Sequence, residues 1–177
     1  MELFDVLKKR HSYRGEFSTE AVSRDDLTKI VEAGLIAPSG CNRQTTEFVI
    51  VDDAELVSKI SSIEGANPAV KSAAAYILCV IDKDPQPVFE GLSFQVEDCA
   101  AAVENMLLAI TNMGYAAVWV DGWLRRENRN EKIGKWVGLP EDKIVRILLP
   151  VGMPLEERQQ PDKIPFAQRA WFNKYGE

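Results

Sequence analysis

The sequence predicts a domain that contains both helices and strands, and two features of its hydrophobic pattern carry that prediction. Segments in which apolar residues recur every three to four positions alternate along the chain with short apolar runs typical of buried strands. No internal repeat, low-complexity stretch or linker divides the 177 residues, a length that suits one domain. The apolar fraction of 46% and the charged fraction of 27% are those of an ordinary globular protein. We therefore predict one domain over residues 1–177.

The 3.6-residue period predicts five helices. They span residues 2–9, 24–36, 54–62, 95–113 and 131–137. Ser23 suits the N-cap of the second helix, and Pro38 stops that helix. Gly114 suits the C-cap of the fourth. The fourth helix carries two adjacent apolar seams, so we expect it to be buried on two sides.

Four short apolar runs predict the strands. They span residues 47–53, 75–81, 115–120 and 144–152, and the first two are candidate central strands. The last segment, residues 155–177, begins polar and proline-rich and ends in the aromatic stretch "RAWFNKYGE". Such a segment is too polar at first for a core element and too aromatic at its end to stay free. We expect an arm that packs on another surface, such as a second subunit.

Charge and hydropathy exclude several partners. Lys and Arg number 21 and Asp and Glu 27, which gives a net charge of −6. This balance disfavours nonspecific attachment to nucleic acid or to an anionic membrane. The chain starts without the apolar region of a signal peptide, and its longest apolar run, residues 73–81, is too short to cross a bilayer. A cytoplasmic protein is expected.

The few histidines and cysteines argue against a metal site. His11 is the only histidine, which excludes sites built from paired imidazoles. Cys41, Cys79 and Cys99 lack CxxC spacing, and two of them have apolar neighbours. The sequence therefore predicts reduced core thiols instead of a disulfide framework or a zinc site, and it leaves metal binding by Asp, Glu or Cys side chains open.

The stretch "KKRHSYRGEF", residues 8–17, concentrates donors for an anion. Arg10, His11, Ser12 and Arg14 offer guanidinium, imidazole and hydroxyl groups, which can hold a phosphate through charge-assisted hydrogen bonds. The alternative is that the basic residues complement the negative end of the preceding helix and that the rest is a solvated turn.

A second polar stretch, "APSGCNRQ" at residues 37–44, joins a helix to a strand. Pro38, Ser39 and Asn42 place short neutral side chains around a flexible Gly40. Neutral donors and acceptors suit the edge of a heterocycle better than a phosphate. The same residue types also occur in an ordinary helix-to-strand turn.

Two further segments could complete a binding site. In "VWVDGW", Val120, Asp121 and Gly122 form a turn in which glycine lets backbone amides approach a ligand, although a hairpin turn explains it equally. Near the C-terminus, Lys163 and Arg169 could add cations to a phosphate site, or they could simply be solvated.

In their order along the chain these motifs resemble the nitroreductase family of flavin-dependent oxidoreductases, over almost the whole length. "RHSYR" is similar to the Arg-x-Ser-x-Arg/Lys motif that holds the FMN phosphate and reaches the isoalloxazine edge. "APSGCNRQ" is similar to the segment that reaches the flavin of the partner subunit, and "WVDG" to the turn whose amide hydrogen-bonds flavin N5. The chain departs from the family at Thr45 and Thr46, where Pro and an aromatic residue often follow the Gln.

The resemblance implies a set of residues around the cofactor. Lys163 would be a late phosphate ligand, Asn67 would lie near the flavin pyrimidine, and Arg14 would stabilise negative charge on the reduced ring. The implied cofactor-binding residues are Arg10, His11, Ser12, Arg14, Pro38, Ser39, Asn42, Asn67, Val120, Asp121, Gly122, Lys163 and Arg169.

The resemblance also implies a fold and an activity. The fold would be α+β, with a central mixed sheet flanked by helices, in an intertwined homodimer. The activity would be ping-pong hydride transfer from NAD(P)H through bound FMN to a nitroaromatic, quinone or similar small acceptor, with no catalytic side chain because the flavin performs the chemistry. A non-catalytic module that holds FMN or binds a partner on the same fold is the alternative. The sequence contains no Gly-rich dinucleotide fingerprint, so the choice between NADH and NADPH stays open.

Overall fold

The computed structural model describes residues 1–176. The helices are α1 (Leu3–Lys9), α2 (Arg24–Leu35), α3 (Ala54–Ser61), α4 (Pro68–Lys71), α5 (Gln95–Asn112), α6 (Gly122–Arg125) and α7 (Arg129–Trp136). The strands are β1 (Glu47–Val51), β2 (Ala75–Asp82), β3 (Ala116–Ala117) and β4 (Lys143–Gly152). Short 3₁₀ turns cover Gly40–Asn42, Arg126–Asn128 and Phe166–Gln168. The α+β class is confirmed, and α1, α2, α3, α5 and α7 match the five predicted helices.

The strands form one sheet in the order β1-β2-β4-β3. Every ladder between these strands is antiparallel, which corrects the mixed sheet implied by the resemblance. The reason is local: Val51 at the end of β1 pairs with Tyr76 near the start of β2, so the connection through α3 and α4 returns the chain to the same end of the sheet. Within residues 1–176 the sheet is therefore antiparallel.

The sheet separates two hydrophobic layers. Along β2 the side chains alternate, so Tyr76 and Leu78 pack on one face and Ile77 and Cys79 on the other. Helices α3, α4, α6 and α7 contribute to the first layer, and α2 and α5 to the second. Strand β2 is buried on both faces, as its unbroken apolar run predicted.

The predicted ends of two helices are confirmed. The Ser23 hydroxyl accepts a hydrogen bond of 3.1 Å from the Asp26 amide at the start of α2. Gly114 follows α5 with a φ of +88°, a conformation that favours glycine. The third predicted strand is shorter than expected, since only Ala116–Ala117 form a ladder before an isolated bridge at Val120.

Helix α5 is buried on one side and only partly covered on the other. Its buried residues include Cys99, Val103 and Met106, which have relative exposures of 1% or less. Ala100, Ala101, Leu108 and Ala109 on the same helix are only half-buried. The single chain thus covers one of the two sides that the apolar pattern predicted to be buried.

The C-terminal arm starts along segment 10–17 and then exposes apolar side chains. The Leu155 amide donates to the Glu16 carbonyl oxygen, and the Gln160 side chain donates to the Arg10 carbonyl oxygen. Further along, four large side chains are more than half exposed: Ile164, Phe166, Phe172 and Tyr175. No helix in residues 1–176 has the length and apolarity that a membrane crossing requires.

One hydrogen bond predicts an acid-dependent contribution to stability. The Tyr115 hydroxyl donates to Asp26 Oδ2 at 2.9 Å, and this bond is the main reason that the pKa of Asp26 lies below its usual value. A carboxylate whose pKa is lowered by folding stabilises the fold above its unfolded pKa of about 4 and loses that contribution as the pH falls through its folded pKa. Tyr115→Phe is expected to lower Tm at pH 7, with the difference from wild type shrinking below about pH 4.

Thermal unfolding of both proteins across this pH range is the measurement. Tyr175→Phe is the matched control, because the Tyr175 ring is 88% exposed and stacks on Trp171. A Tyr115→Phe deficit that stayed constant down to pH 2 would contradict the role given to the Asp26 carboxylate.

Candidate functional site

Side chains in residues 10–17 alternate between buried and exposed, as in an extended strand. Tyr13 and Phe17 are buried, whereas Ser12 and Arg14 are exposed. The Tyr13 amide donates to the Ala117 carbonyl oxygen at 2.9 Å, and its hydroxyl donates to the Glu16 carbonyl oxygen at 2.6 Å. The buried tyrosine therefore fixes a segment that displays Ser12 and Arg14 at the surface.

The donors on the exposed side fit an anionic ligand. Arg14 has no hydrogen bond or ion pair within residues 1–176, and the Ser12 hydroxyl is equally free there. Arg10 Nε lies 3.4 Å from Glu104 Oε1 on α5, and both side chains remain partly exposed. Two guanidinium groups and a hydroxyl in this alternation form a donor set suited to a phosphate monoester and to a polar ring edge.

His11 lies on the opposite side of this segment from Ser12 and Arg14. Its Nδ1 donates to the Lys9 carbonyl oxygen at 2.9 Å, and its Nε2 is buried without a partner. Together with Tyr13 and Lys163, the imidazole lines a cavity of about 860 Å³ beneath the C-terminal arm. The period of two separates His11 from the residues with which the sequence analysis grouped it.

The second motif forms a loop that is anchored by one buried carboxylate. Asp98 on α5 accepts hydrogen bonds from the Gly40 amide and the Thr45 hydroxyl, each at 2.8 Å. The Ser39 hydroxyl accepts from the Gln44 amide at 2.9 Å and closes the loop internally. The two bonds to Asp98 hold both ends of the loop on α5.

Backbone conformation within this loop is unusual. Cys41, Asn42 and Gln44 have φ values of 50°, 54° and 51°, in the left-handed region that non-glycine residues rarely occupy. A Cβ at Gly40 would lie 2.5 Å from a Phe94 ring carbon, so only glycine fits there. The result is an exposed Asn42, held on a strained loop of the kind found at ligand contacts.

Of the two residues that depart from the family pattern, Thr45 has a hydrogen-bonding role in the fold and Thr46 does not. Thr45 belongs to the Asp98 anchor, while Thr46 Oγ1 is buried without a hydrogen-bond partner. Pro38 precedes the loop and is exposed, and Ser39 is half-buried.

The third motif begins a helix, which corrects the hairpin alternative. Gly122 is the first residue of α6, and Arg125 N donates to the Asp121 carbonyl oxygen at 3.1 Å. The first amides of a helix have no acceptor within it, and a Cβ at Gly122 would meet no heavy atom within 4 Å. This turn therefore presents backbone donors to open space, while the Val120 amide is already paired with the Leu148 carbonyl oxygen.

The Asp121 carboxylate is held between two arginines, and both of them pair with it. Arg146 Nη1 and Arg125 Nε lie 2.7 Å and 2.6 Å from Asp121 Oδ1. Arg146 projects from β4 and Arg125 from α6. These two ion pairs fix the turn from the sheet side and from the helix side.

The remaining predicted residues are dispersed. Asn67 caps α4, where its Oδ1 accepts from the Val70 amide at 3.0 Å. Lys163 lines the cavity beneath the arm, and Arg169 is exposed after the last 3₁₀ turn. No group of three or more His, Cys, Asp or Glu in residues 1–176 could hold a metal ion.

Within one chain the first two motifs remain apart. Residues 10–14 contact α5 through Glu104, and residues 38–44 contact it through Asp98. No hydrogen bond or ion pair in the described part of the chain joins the two motifs. Two anchoring residues, Asp98 and Arg146, lie outside every motif of the sequence, because their partners are distant along the chain.

Comparison with known proteins decides the family. The model of the nitroreductase family matches residues 7–90 and 64–153. This chain belongs to the nitroreductase family. An Archaeoglobus fulgidus protein, provisionally named an NADH dehydrogenase/NAD(P)H nitroreductase, is 32% identical over 157 residues, covering 89% of this chain and 88% of its own.

Solved structures of the nitroreductase family share the fold. A Bacteroides thetaiotaomicron protein with the same provisional name superposes with a TM-score of 0.84 at 26% identity, covering 99% of both chains. An FMN-dependent nitroreductase of Clostridium difficile R20291 superposes with a TM-score of 0.80 at 25% identity, covering 97% of this chain and 99% of that one.

Proposed function

We propose that this chain is an FMN-dependent oxidoreductase that transfers hydride from NAD(P)H to a nitroaromatic, quinone or similar small acceptor by a ping-pong mechanism. The observation that carries the proposal is the display of Ser12 and Arg14 on a segment fixed by the buried Tyr13. The FMN-dependent nitroreductase of Clostridium difficile, which has the same fold, supports the choice of cofactor.

The donor set fits FMN in chemical type. A phosphate monoester needs cationic and hydroxyl donors, which Arg10 and Ser12 supply. Arg14 is free to neutralise negative charge at the edge of the ring. The open turn at Gly122 supplies a backbone N–H for a neutral ring nitrogen. In this proposal Lys163 and Arg169 are further cations on the arm, although within one chain Lys163 lines the cavity with His11, on the other side of segment 10–17 from Ser12 and Arg14.

When bound, FMN would accept hydride from NAD(P)H and donate it to the acceptor, so the protein needs no nucleophile or metal. In this proposal the protein residues bind FMN and orient it. Asp121, held by Arg125 and Arg146, keeps the turn at Gly122 rigid, and a preorganised donor costs no rearrangement during the reaction. Asn42 and Ser39 on the strained loop would contact the cofactor of a partner subunit.

Cofactor content is the direct test of this function. The native protein is expected to carry FMN close to one equivalent per chain, seen in its absorbance spectrum and in the chromophore released by heat. A colourless protein that also fails to take up added FMN would contradict the proposal.

Steady-state kinetics then separate an enzyme from a module that only holds FMN. Oxidation of NADH or NADPH is measured against a quinone or a nitroaromatic acceptor at several fixed concentrations. Parallel double-reciprocal lines are expected of a ping-pong enzyme. Bound FMN without any acceptor-dependent NAD(P)H oxidation would favour the non-catalytic alternative.

We also propose that the functional unit is a homodimer. Leu3, Phe4 and Leu7 on α1 are exposed, as are four large apolar side chains on the arm, and α5 has a half-buried side. Exposed apolar surface of this kind typically marks an interface. A second copy would cover it and would supply the second motif to a site that one chain leaves divided.

Light scattering at micromolar concentration is expected to give the mass of two chains. Removal of residues 161–177, which carry the exposed apolar side chains of the arm, should weaken the dimer and the retention of FMN together. A monomer that held FMN as tightly as the full chain would contradict the shared site.

A further inference from the structure

Arg129 is a buried arginine outside every motif that the sequence analysis identified. It is the first residue of α7 and has a relative exposure of 7%. The two residues before it, Glu127 and Asn128, have φ values of 56° and 53°. Burying a guanidinium and placing two non-glycine residues in the left-handed region both cost free energy, so the surroundings must hold this side chain firmly.

The guanidinium joins two distant segments of the chain. Its Nη1 donates to the Trp123 carbonyl oxygen at 3.0 Å, and its Nη2 donates to the Glu64 carbonyl oxygen at 3.3 Å. The Trp123 indole Nε1 donates to the same Glu64 carbonyl oxygen at 3.3 Å. The guanidinium also lies over the Trp123 ring, 4.9 Å from its centre. Arg129, Trp123 and the Glu64 carbonyl thus form a closed three-way contact, which we call the brace.

Each segment in the brace leads directly to a residue of the candidate site. Trp123 follows Gly122, the first residue of the open turn. Glu64 lies three residues before Asn67, the cap of α4. A shift of either segment would therefore move a group that the proposed function places around the cofactor.

We propose that Arg129 is a positioning residue that fixes the Gly122 turn and the Asn67 cap relative to each other, and so sets the affinity for FMN and the reduction potential of the bound cofactor. This inference rests on the proposed function. Arg129 acts through Trp123 and Glu64 and has no assigned contact with the cofactor itself.

The planar fork of arginine is needed because the two carbonyl oxygens belong to different segments. Its two terminal nitrogens donate in fixed directions, whereas a lysine offers a single ammonium that is more strongly hydrated. Lysine at this position would keep the charge next to Glu127, whose carboxylate lies 2.7 Å from Nη2. It would not keep both carbonyl contacts and the planar stacking on Trp123.

The test compares Arg129→Lys and Trp123→Phe with Lys132→Met. Trp123→Phe removes the indole donor to Glu64 and keeps an aromatic face beneath the guanidinium. Lys132 is the matched control, since it lies on the same helix and stacks on Trp136 at 5.2 Å, outside the brace. For each protein, FMN is titrated into the apoprotein, and the reduction potential of bound FMN and the Tm are measured.

Arg129→Lys and Trp123→Phe are each expected to raise the Kd for FMN about tenfold. Both variants should also shift the reduction potential of bound FMN away from the wild-type value, in the same direction as each other. Lys132→Met should leave both quantities at wild-type values. If the two brace variants lowered Tm but kept the wild-type Kd and potential, Arg129 would be structural only and the inference would be overturned. If Arg129→Lys failed to fold, Trp123→Phe alone would decide. Failure of the wild-type protein to bind FMN would instead overturn the proposed function.

Discussion

Replacing Arg14 with alanine is expected to raise the Kd for FMN by about 10- to 100-fold while leaving the free energy of unfolding nearly unchanged. The magnitude follows from the loss of a charge-assisted hydrogen bond, about 1.5–3 kcal/mol. Stability should hold because Arg14 is exposed and has no hydrogen bond or ion pair within residues 1–176. Most ligand-binding residues also pack within the fold, so their loss changes affinity and stability together. The loss of Arg14 should change the affinity for FMN alone.

Titration of FMN into the apoproteins and urea unfolding are the measurements. Arg14→Lys keeps the charge and should recover part of the affinity, because it lacks the bidentate fork. Lys135→Ala is the matched control: Lys135 is an exposed, unpartnered cation on α7, and its loss changes the net charge equally. If Arg14→Ala and Lys135→Ala gave the same small change in Kd, Arg14 would contribute only general electrostatics.

Local patterns predicted the long elements of this fold well. The apolar period located α2 and α5 to within one residue at each end. Ser23 caps α2 as predicted, and Gly114 is the positive-φ residue that follows Met113, the C-cap of α5. These signals succeed because they depend on neighbours within one or two helical turns. The antiparallel arrangement of the sheet could not be predicted from local patterns. The relative direction of two strands depends on the end of the sheet to which the connection between them returns the chain.

Two short helices were missed for different reasons. Helix α6 has four residues, too few to show a period. Helix α4 is equally short, but its start was recognisable: Asn67 caps it and Pro68 occupies its first position. The same asparagine was assigned to the cofactor from the resemblance, and the structure shows that its side-chain oxygen caps the helix.

The candidate site shows what a motif cannot reveal. Its residues follow one another in sequence, yet the alternation of residues 10–17 separates His11 from Ser12 and Arg14. That period of two was visible in the sequence and could have predicted the separation. Asp98 gave no such signal, because an acid in the first turn of a helix is explained by the helix dipole. Its actual partners lie on a loop that only the tertiary structure brings close.

Asp98→Ala is expected to lower the free energy of unfolding by about 2–4 kcal/mol and to weaken the binding of FMN. The carboxylate is 7% exposed and is the common acceptor for the Gly40 amide and the Thr45 hydroxyl. Without it two partly buried donors lose their acceptor, and no other hydrogen bond in the described part of the chain joins α5 to the loop. A released loop would present Asn42 to the cofactor less often, so affinity should fall even where the protein remains folded.

Urea unfolding and FMN titration of Asp98→Ala, Asp98→Asn and Glu97→Ala separate these effects. Asp98→Asn keeps one acceptor oxygen and should lose less stability than Asp98→Ala. Glu97 is the adjacent carboxylate in the first turn of α5, but it is exposed and unpartnered in the described chain. Its removal tests the helix-dipole contribution alone, which is about 0.3–1 kcal/mol. If Asp98→Ala were no less stable than Glu97→Ala, the carboxylate would not anchor the loop. If it lost stability but bound FMN normally, the loop would have no part in the site.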